Sequence, residues 1–218
     1  MTRDWPISLP GIPPHPEIVR GPAVLLFEPP SLNLASVRVL VPDRAAIVLG
    51  SSQPDASVSI RPAHVDVVRR RSGGGAVWLD EAMVWVDIVI PHGHQLAERD
   101  VGRAMWWIGA VWAEAIPGAE VHRGAMVRSE HSGAVCFAGL GPGEVTVGGR
   151  KVVGISQRRT RDGALFQCGA LLAWEPARLC AALGIPEAVV TLDGVAATTS
   201  QGAIERALTV LFKAVLGR

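Results

Sequence analysis

Hydrophobic residues in this chain recur mainly in short runs with β-branched members, a pattern typical of β-strands. Such runs cover residues 36–41, 45–49, 65–69, 76–79 and 84–90, and later residues 134–137, 144–147, 151–157 and 164–173. The first two runs flank Pro42, Asp43 and Arg44, a turn-forming sequence that predicts a hairpin.

Three other segments show helical spacing. Apolar residues at positions 101, 105, 108, 112 and 115 form one stripe after Asp100, which can cap a helix, and Pro117–Gly118 ends it. Pro176 and Gly184 bracket a short helix, and apolar positions 204, 208, 211 and 215 mark a final amphipathic one. Because strands come in runs and helices are few, we predict an α+β fold with a mixed, largely antiparallel sheet flanked by helices.

The two ends of the chain differ in character. Five prolines between positions 6 and 16 predict an extended arm over residues 1–20. Residues 21–218 contain neither an internal repeat nor a convincing linker, and therefore predict a single domain.

Composition excludes several classes of protein. Of the 218 residues, 49% are hydrophobic, enough for a full core, and the net charge of +1 argues against a polycationic nucleic-acid binder. Residues 1–10 show no secretory signal, and no uncharged apolar run in the middle of the chain is long enough to cross a bilayer. Three cysteines without CxxC spacing fit neither a disulfide scaffold nor a zinc site. We expect a cytoplasmic protein that binds neither nucleic acid nor membrane.

The first candidate site is Arg69-Arg70-Arg71-Ser72-Gly73-Gly74-Gly75-Ala76-Val77. Three consecutive glycines let a ligand approach the backbone and let peptide N–H groups point at an anion. The adjoining arginines add charge suited to a phosphate or carboxylate. The alternative is a flexible loop with solvated arginines, and the adjoining charges favour anion binding.

Lys151 belongs to the second candidate, which runs from Gly148 to Arg159, and is one of only two lysines in the chain, against nineteen arginines. At the start of an apolar strand it can enter a pocket and polarise an acyl carbonyl, or remain an ordinary strand-edge lysine. Cys136 lies fifteen residues earlier, and if the two segments pair as strands the ammonium would activate its thiol. The alternative is a buried core cysteine, our interpretation for Cys168 and Cys180.

Three further motifs are set aside. Gly139-Leu140-Gly141-Pro142-Gly143 lacks the final glycine and the helix of a dinucleotide-binding fingerprint. His92 and His94 have no third ligand at metal-binding spacing. Trp106 and Trp107 lie on the predicted helix and indicate packing or an interface rather than base stacking.

The two candidate motifs together resemble those of the lipoate–protein ligase superfamily, which also contains octanoyltransferases and biotin ligases. Residues 69–77 look like its RRxSGGGAV loop, and residues 151–156, about eighty positions later, look like its K-[IV]-x-G-x-[AS] strand. The resemblance covers roughly residues 35–175.

This resemblance implies a biotin/lipoate ligase-like catalytic domain over residues 21–218, without the C-terminal accessory domain of longer ligases. Lys151 would be the catalytic residue, acting on an acyl group held in an apolar pocket. The expected partner is the lipoyl carrier domain of a 2-oxoacid dehydrogenase or of a glycine-cleavage protein. The residues expected to bind substrate or adenylate are Arg70, Arg71, Ser72, Gly73, Gly74, Gly75, Ala76, Val77, Asp80, Gly154, Ile155 and Ser156.

Three functions are compatible with the resemblance. The first is a ligase that forms an acyl-adenylate from lipoate or octanoate with ATP and Mg²⁺, alone or with a separate accessory subunit, and passes the acyl group to a carrier lysine. The alternative is an octanoyltransferase that needs no ATP and takes octanoate from acyl carrier protein onto Cys136. The region from Ala134 to Arg159 looks similar to such Cys-dependent enzymes. The third is a non-catalytic binder of an acyl group or acyl-adenylate.

Two departures from the family pattern bear on this choice. Many ligases continue after the glycine loop with an aromatic residue and His-Asp-x-Gly-Asn, where this chain has Trp78-Leu79-Asp80-Glu81-Ala82-Met83. Many members carry His-Gly-[TS], where this chain has Cys168-Gly169-Ala170. The intact triple glycine with Ala76-Val77 favours the ligases and the surroundings of Cys136 favour the transferases, while the GRGRxGR.W loop of biotin ligases is absent.

Overall fold

The computed structural model describes residues 16–217, and within them the chain forms two β-sheets and five α-helices. The strands are β1 (Glu17–Gly21), β2 (Ser36–Pro42), β3 (Ala46–Leu49), β4 (Asp66–Arg69), β5 (Val77–Leu79), β6 (Met83–Pro91), β7 (Ala119–Val121), β8 (Val145–Val147), β9 (Arg150–Arg159) and β10 (Gly163–Leu171). The helices are α1 (Ala23–Leu26), α2 (Trp106–Ala115), α3 (Pro176–Leu183), α4 (Val189–Leu192) and α5 (Gln201–Leu216).

The larger sheet has seven strands in the order β1-β2-β6-β10-β9-β8-β7. Its neighbouring strands run antiparallel except β1 and β2, which are parallel. The smaller sheet has the order β4-β3-β5, in which β3 is parallel to β4 and antiparallel to β5. The predicted α+β fold with a mixed, largely antiparallel sheet is confirmed.

The three predicted helices correspond to α2, α3 and α5, and their ends follow local signals. α3 ends at Gly184, whose φ of 73° is a left-handed conformation that glycine adopts without strain. α5 begins after Ser200, whose hydroxyl accepts a hydrogen bond from the N–H of Ala203. α2 begins later than predicted because Arg103–Met105 forms a 3-10 turn, to which Asp100 is hydrogen-bonded at 2.8 Å.

The large sheet is covered on both faces, as successive residues of β10 illustrate. Phe166 points to the helical face, where its ring lies 6.5 Å from that of Trp107 in α2. The next residue, Gln167, points to the opposite face and accepts a hydrogen bond from Ser72 in the loop between β4 and β5. The loop of the smaller sheet therefore lies over the centre of the larger sheet.

The hairpin predicted around Pro42, Asp43 and Arg44 is wrong, although both of its strands form. β2 pairs with β1 and β6 in the large sheet, whereas β3 pairs with β4 and β5 in the small one. Alternate residues of β3 pack in opposite directions, Val48 into the main core and Ile47 into a second cluster that includes residues of α3. Turn-forming residues reverse the chain but do not decide which strand the next segment pairs with.

The strand predicted over residues 134–137 is also wrong. Only Val135 pairs, with Ala76 in an isolated parallel bridge, and Cys136–Ala138 forms a 3-10 turn. Val135 and Phe137 are buried, so the apolar pattern here reflects packing of a turn rather than a ladder of strand hydrogen bonds.

Other differences concern short elements at the edges of the fold. Residues 1–15 of the predicted arm lie outside the described residues, and the remainder of the arm includes β1, which pairs with β2. β7, α1 and α4 were not predicted, and each has only three to five residues, too few for a periodic signal. Between residues 16 and 217 there is no helix with the length and apolar character needed to cross a membrane.

Candidate active site

The glycine loop between β4 and β5 is held by the side chain of Arg70, which is 1% exposed. Its guanidinium donates to the carbonyl oxygens of Gly73 at 2.7 Å and Gly75 at 2.9 Å. Burial lowers the pKa of Arg70, but an arginine keeps its proton in a protein. Because a trans peptide directs its C=O and N–H to opposite sides, the N–H of Gly74 points away from Arg70. The N–H groups of Gly73, Gly74 and Gly75 have no hydrogen-bond partner within residues 16–217. Gly73 and Gly74 are exposed and open to a ligand, whereas Gly75 is buried.

Cys136 lies beside this loop because its backbone pairs with the residue that follows the glycines. The N–H of Cys136 donates to the carbonyl of Ala76 at 3.0 Å. A Cβ atom on Gly75 would lie 2.6 Å from the carbonyl carbon of Val135, so a side chain at this position would prevent the approach. A Cβ atom on Gly74 would lie 3.8 Å from Sγ of Cys136, which places the thiol against the glycine backbone.

Gln53 holds the segment that leads into Cys136. Its side-chain oxygen accepts from the N–H of Gly50 at 2.9 Å. Its amide nitrogen donates to the carbonyl oxygens of Gly133 at 3.2 Å and Ala134 at 3.1 Å. This buried side chain therefore ties the end of β3 to the cysteine turn.

Lys151, at the start of β9, reaches the cysteine turn through its ammonium group. Nζ lies 2.9 Å from both carboxylate oxygens of Glu144. It also donates to the carbonyl oxygens of Cys136 at 2.8 Å and Gly139 at 2.9 Å, and it lies 4.0 Å from Sγ of Cys136. Lys151 and Glu144 are only 4% and 6% exposed, so the ion pair is shielded from solvent.

Glu144 controls both the position and the charge of Lys151. Its carboxylate also accepts from the N–H groups of Gly141 at 2.6 Å and Ile155 at 3.1 Å. Burial lowers the pKa of Lys151, but the adjacent Cys136 and Glu144 outweigh burial, and the net pKa is raised. Lys151 is therefore positively charged at neutral pH and stabilises negative charge on the nearby sulfur.

A small pocket of about 20 Å³ lies beside the thiol, between Arg70 and the large sheet, and is called here the Cys136 pocket. Gly154 of β9 and Gly169 of β10 are directly opposite each other in its floor. Other side chains pack close to both glycines: a Cβ atom would lie 3.3 Å from Cε of Lys151 at Gly154 and 3.2 Å from Sδ of Met83 at Gly169. The lining residues are Arg70, Val77, Trp85, Cys136, Phe137, Glu144, Gly154, Ile155, Ser156, Gln167 and Gly169.

A row of polar residues crosses the large sheet next to these glycines. Arg38 of β2 is opposite Asp87 of β6, and Gln167 of β10 lies between Asp87 and Ser156 of β9. Asp87 accepts from Arg38 at 3.0 Å and from Gln167 at 3.1 Å, and burial raises the pKa of its carboxyl group. Ser72 donates its one hydroxyl proton to Gln167 at 2.7 Å and therefore accepts from Ser156, 2.8 Å away. The row fastens the glycine loop to the centre of the sheet.

The residues singled out by sequence fall into two groups. Most line the Cys136 pocket or bond to residues that do: Arg70, Ser72, Gly73, Gly74, Gly75, Ala76, Val77, Cys136, Lys151, Gly154, Ile155 and Ser156. Asp80 instead lies under the turn between β5 and β6, where it accepts from the N–H of Ala82 and the indole of Trp78, each at 2.9 Å. Arg71 is exposed and lines a separate surface cleft with Arg69.

The other cysteines and the histidine pair lie apart from this pocket. Burial raises the pKa of Cys168 to about 12 and also raises that of Cys180, as expected for core thiols. Nε2 of His94 is hydrogen-bonded to the carbonyl oxygen of Val215 at 3.0 Å. Within residues 16–217, no cluster of three or more histidine, cysteine or acidic side chains is arranged to hold a metal ion.

Sequence reasoning missed several polar residues that build the site. Asp87 and Gln167 each lie in the middle of an apolar strand, and Gln53 follows a buried one. A lone polar residue within a buried strand requires a hydrogen-bond partner, and this signal was available in the sequence. Glu144 lies in the region that resembles the Cys-dependent transferases, but its ion pair with Lys151 could not be assigned from their spacing.

Comparison with known proteins adds an independent observation. The family model of the lipoyl protein ligase A/B catalytic domain matches residues 30–201. Octanoyltransferase LipM of Clostridioides difficile (strain 630) is 31% identical over 117 residues, which cover 51% of this chain and 42% of that protein. An octanoyl-[GcvH]:protein N-octanoyltransferase of Oceanobacillus iheyensis is 33% identical over 109 residues, 50% of this chain and 36% of that protein. The matched region thus spans less than half the length of these curated relatives.

Solved structures show the same fold at low sequence identity. Lipoate-protein ligase A bound with ATP has a TM-score of 0.64 and 14% identity, covering 93% of this chain and 86% of that one. A bipartite lipoate protein ligase of Thermoplasma acidophilum has a TM-score of 0.62 and 15% identity, covering 93% and 84%. Since the family model extends over most of the chain, from just before β2 to the first residue of α5, this protein belongs to the lipoyl protein ligase A/B catalytic domain family.

Proposed function

We propose that this protein is an acyltransferase that moves an octanoyl or lipoyl group onto a lysine of a lipoyl carrier domain through a thioester on Cys136. The observation that carries the proposal is the position of the thiol. Sγ lines the pocket, 4.0 Å from the Lys151 ammonium and against the backbone of Gly74. The octanoyltransferases among the curated relatives support the same choice.

In the first half-reaction, the sulfur of Cys136 attacks the carbonyl carbon of an acyl thioester on a carrier protein. A new C–S bond forms, the C–S bond to the donor breaks, and the donor thiol leaves with the proton that Cys136 gave up. Lys151 stabilises the attacking thiolate. The unpaired N–H groups of the exposed Gly73 and Gly74 can donate to the oxygen on which negative charge develops.

In the second half-reaction, the amine of the acceptor lysine attacks the Cys136 thioester. The acceptor must first lose its ammonium proton, because only the free amine is nucleophilic. An amide forms and Cys136 leaves and regains a proton. The net change is one thioester and one amine converted to one amide and one thiol, which balances without ATP.

The acceptor in this proposal is a lipoyl domain of a 2-oxoacid dehydrogenase or of the glycine-cleavage protein, and the donor is an acylated carrier protein. One relative is an octanoyl-[GcvH]:protein N-octanoyltransferase, which supports a donor or acceptor of this class. We place the reaction in the cytoplasm, where the three free cysteines of this chain stay reduced.

A ligase that uses ATP and Mg²⁺ is the second candidate. The glycine loop held by Arg70 has unpaired N–H groups at the exposed Gly73 and Gly74, an arrangement that also suits a phosphate. In that reaction Lys151 would contact an acyl-adenylate, with or without an accessory subunit, and Cys136 would be a wall of the pocket.

The two candidates predict different results in one experiment. An apo lipoyl domain is incubated with the protein and octanoyl carrier protein without ATP, or with octanoate, ATP and Mg²⁺, and its intact mass is measured. We expect a mass gain in the first mixture only, an octanoyl adduct on Cys136 when the acceptor is omitted, and loss of both in Cys136→Ser. Cys180→Ala, which removes a buried thiol outside the pocket, is the matched control and should retain activity.

Other outcomes would replace the proposal. A gain only with ATP that survives Cys136→Ser would make the protein a ligase. Tight binding of octanoate with no gain in either mixture would favour a non-catalytic binder.

A further inference from the structure

We infer that a cavity on the helical face of the large sheet binds a small amphipathic anion, a carboxylate with a compact apolar body. The cavity has a volume of about 320 Å³ and lies where β6 and β9 end and β10 begins. The inference is independent of the proposed acyl transfer, because this ligand would be a second small molecule that does not meet the reacting sulfur.

The cavity and the Cys136 pocket lie on opposite faces of the same sheet. Ala164 and Phe166 of β10 line the cavity, whereas Gln167 and Gly169 of the same strand line the Cys136 pocket. Because successive residues of a strand point to opposite faces, the thickness of the sheet separates the two. The cavity is therefore a separate site and not an extension of the Cys136 pocket.

The floor of the cavity changes from apolar to cationic across three strands. Ala164 of β10 is opposite Ile90 of β6 on one side and opposite Arg159 of β9 on the other. Adjacent strands lie about 4.8 Å apart, so Ile90 and Arg159 are separated by about 10 Å. Ala164 has only a methyl group above the middle strand, and Leu96 adds apolar surface from the segment that follows β6. A ligand that fits this floor has an apolar body at one end and a negative charge at the other.

The cationic end has hydrogen-bond donors to spare. Arg159 donates through Nε to Gln157 and through Nη1 to the carbonyl oxygen of Glu98, but its Nη2 has no partner among the described residues. Arg99 is exposed at the cavity, and its side chain likewise has no partner within residues 16–217. Glu98 is the only acidic side chain among the described residues that line the cavity, and its carboxylate is 3.6 Å from Arg103. The charge around the cavity is therefore positive and favours an anion.

The roof of the cavity, residues 92–99, is held in place at both ends. His94 accepts from the N–H of Leu96 at 3.2 Å through Nδ1, so its Nε2 carries the proton and donates to the carbonyl of Val215 in α5 at 3.0 Å. At the other end, Arg159 donates to the carbonyl of Glu98 at 2.7 Å. A preformed cavity loses little affinity to ordering of the protein when the ligand binds.

The size of the cavity sets the size of the ligand. A volume of 320 Å³ falls at the lower end of the range of about 300–1,000 Å³ that is usual for ligand sites. A water molecule takes about 30 Å³ of liquid, so the cavity has room for about ten groups of that size. A carboxylate of about six carbons, with about eight non-hydrogen atoms, fits this room.

Hexanoate is the probe, and methyl NMR spectra show where it binds. The protein is titrated without any acyl donor, while the methyl signals of Ile90 and Leu96 report on the cavity and those of Ile155 on the Cys136 pocket. We expect saturable shifts of Ile90 and Leu96 with a dissociation constant on the order of 1 mM. Hexanol, which has no charge, should bind about threefold more weakly, and hexylammonium about tenfold or more.

Two variants separate the apolar and the charged parts of the site. Ala164→Leu fills the middle of the floor and should weaken hexanoate binding about tenfold or more, with Ala110→Leu at an exposed position of α2 as its matched control. Arg99→Ala removes the exposed cation and should weaken binding about threefold. Its matched control is Arg161→Ala, whose side chain is 94% exposed and does not line the cavity. Unchanged Ile155 signals show that each variant is folded.

Several results would overturn the inference. Absence of shifts at Ile90 and Leu96 at about 20 mM hexanoate, or shifts confined to Ile155, would show that the cavity binds no such anion. Equal binding of hexylammonium would show that the cavity does not select charge. Undiminished binding in folded Ala164→Leu would place the ligand elsewhere. None of these results affects the acyl-transfer assay, which follows the mass of the lipoyl domain.

Discussion

Replacement of Glu144 with glutamine should destabilise the protein and uncouple Lys151 from Cys136. The Glu144 carboxylate accepts four hydrogen bonds, two from Lys151 and one each from the N–H groups of Gly141 and Ile155. Glutamine has one acceptor oxygen and one donor NH₂ group. In any orientation its NH₂ group faces another hydrogen-bond donor. The positive charge of the buried Lys151 ammonium is then no longer balanced by a carboxylate.

The magnitude follows from the burial of the pair. Removal of one partner from a buried ion pair costs about 3–5 kcal/mol. Lys151 keeps the carbonyl oxygens of Cys136 and Gly139 as acceptors, so we expect a loss near the lower end, about 3 kcal/mol. A domain is usually stable by about 5–15 kcal/mol, so the variant should remain folded at room temperature.

Urea unfolding followed by circular dichroism measures the free energy, and intact mass measures the rate of Cys136 acylation. We expect the rate to fall about tenfold or more because the ammonium is no longer held beside the sulfur. Glu114→Gln, at an exposed position in α2, is the matched control and should change the free energy of unfolding by less than about 0.5 kcal/mol.

The double variant Glu144→Gln/Lys151→Met decides whether the cost comes from an uncompensated charge. Removal of both partners should recover part of the lost stability but none of the activity. If Glu144→Gln costs less than about 1 kcal/mol, or if the double variant is less stable than the single one, this account of the pair is wrong.

Three further changes test other parts of the site. Ser72→Ala leaves the buried amide of Gln167 without its donor and should cost about 1–3 kcal/mol in urea unfolding; a neutral result would mean that the polar row does not hold the loop. Burial raises the pKa of Asp87, so its carboxyl group is protonated at a higher pH in the folded state than in the unfolded chain. Protonation of Asp87 therefore adds to the free energy of unfolding as the pH falls through the folded-state pKa. Asp87→Asn should therefore lose unfolding free energy more steeply than the wild type between about pH 6 and 4, and an equal slope would contradict this. Since burial raises the pKa of Cys168 to about 12, iodoacetamide at about pH 8 should label Cys136 first, as read by peptide mass mapping, and equal labelling of Cys168 would show that burial does not protect it.

Several elements of the fold were predictable because their signals are local. The apolar run that forms β6 and the glycine that ends α3 act within a few residues, and both appear where the sequence predicted them. The hairpin failed because pairing is not local: β2 and β3 are adjacent in the chain but lie in different sheets.

The contact between Lys151 and Cys136 was anticipated, but its structural cause differs from the one predicted. The sequence analysis placed them together through paired strands. In the structure Cys136 lies on a 3-10 turn, and the long lysine side chain spans the distance to it. The backbone bridge between Ala76 and Val135, 59 positions apart, brings the turn to the glycine loop.

Residue type and local pattern were therefore sufficient for the fold class and for the position of the glycine loop, since each depends on neighbouring residues. The Glu144 ion pair, the polar row and the small pocket beside Cys136 depend on three-dimensional packing. They join strands at a particular register, and a shift of β10 by one residue would turn Gln167 and Gly169 to the helical face. Register is decided by the burial of whole strands against both layers, which is why no single segment of the chain reveals the pocket.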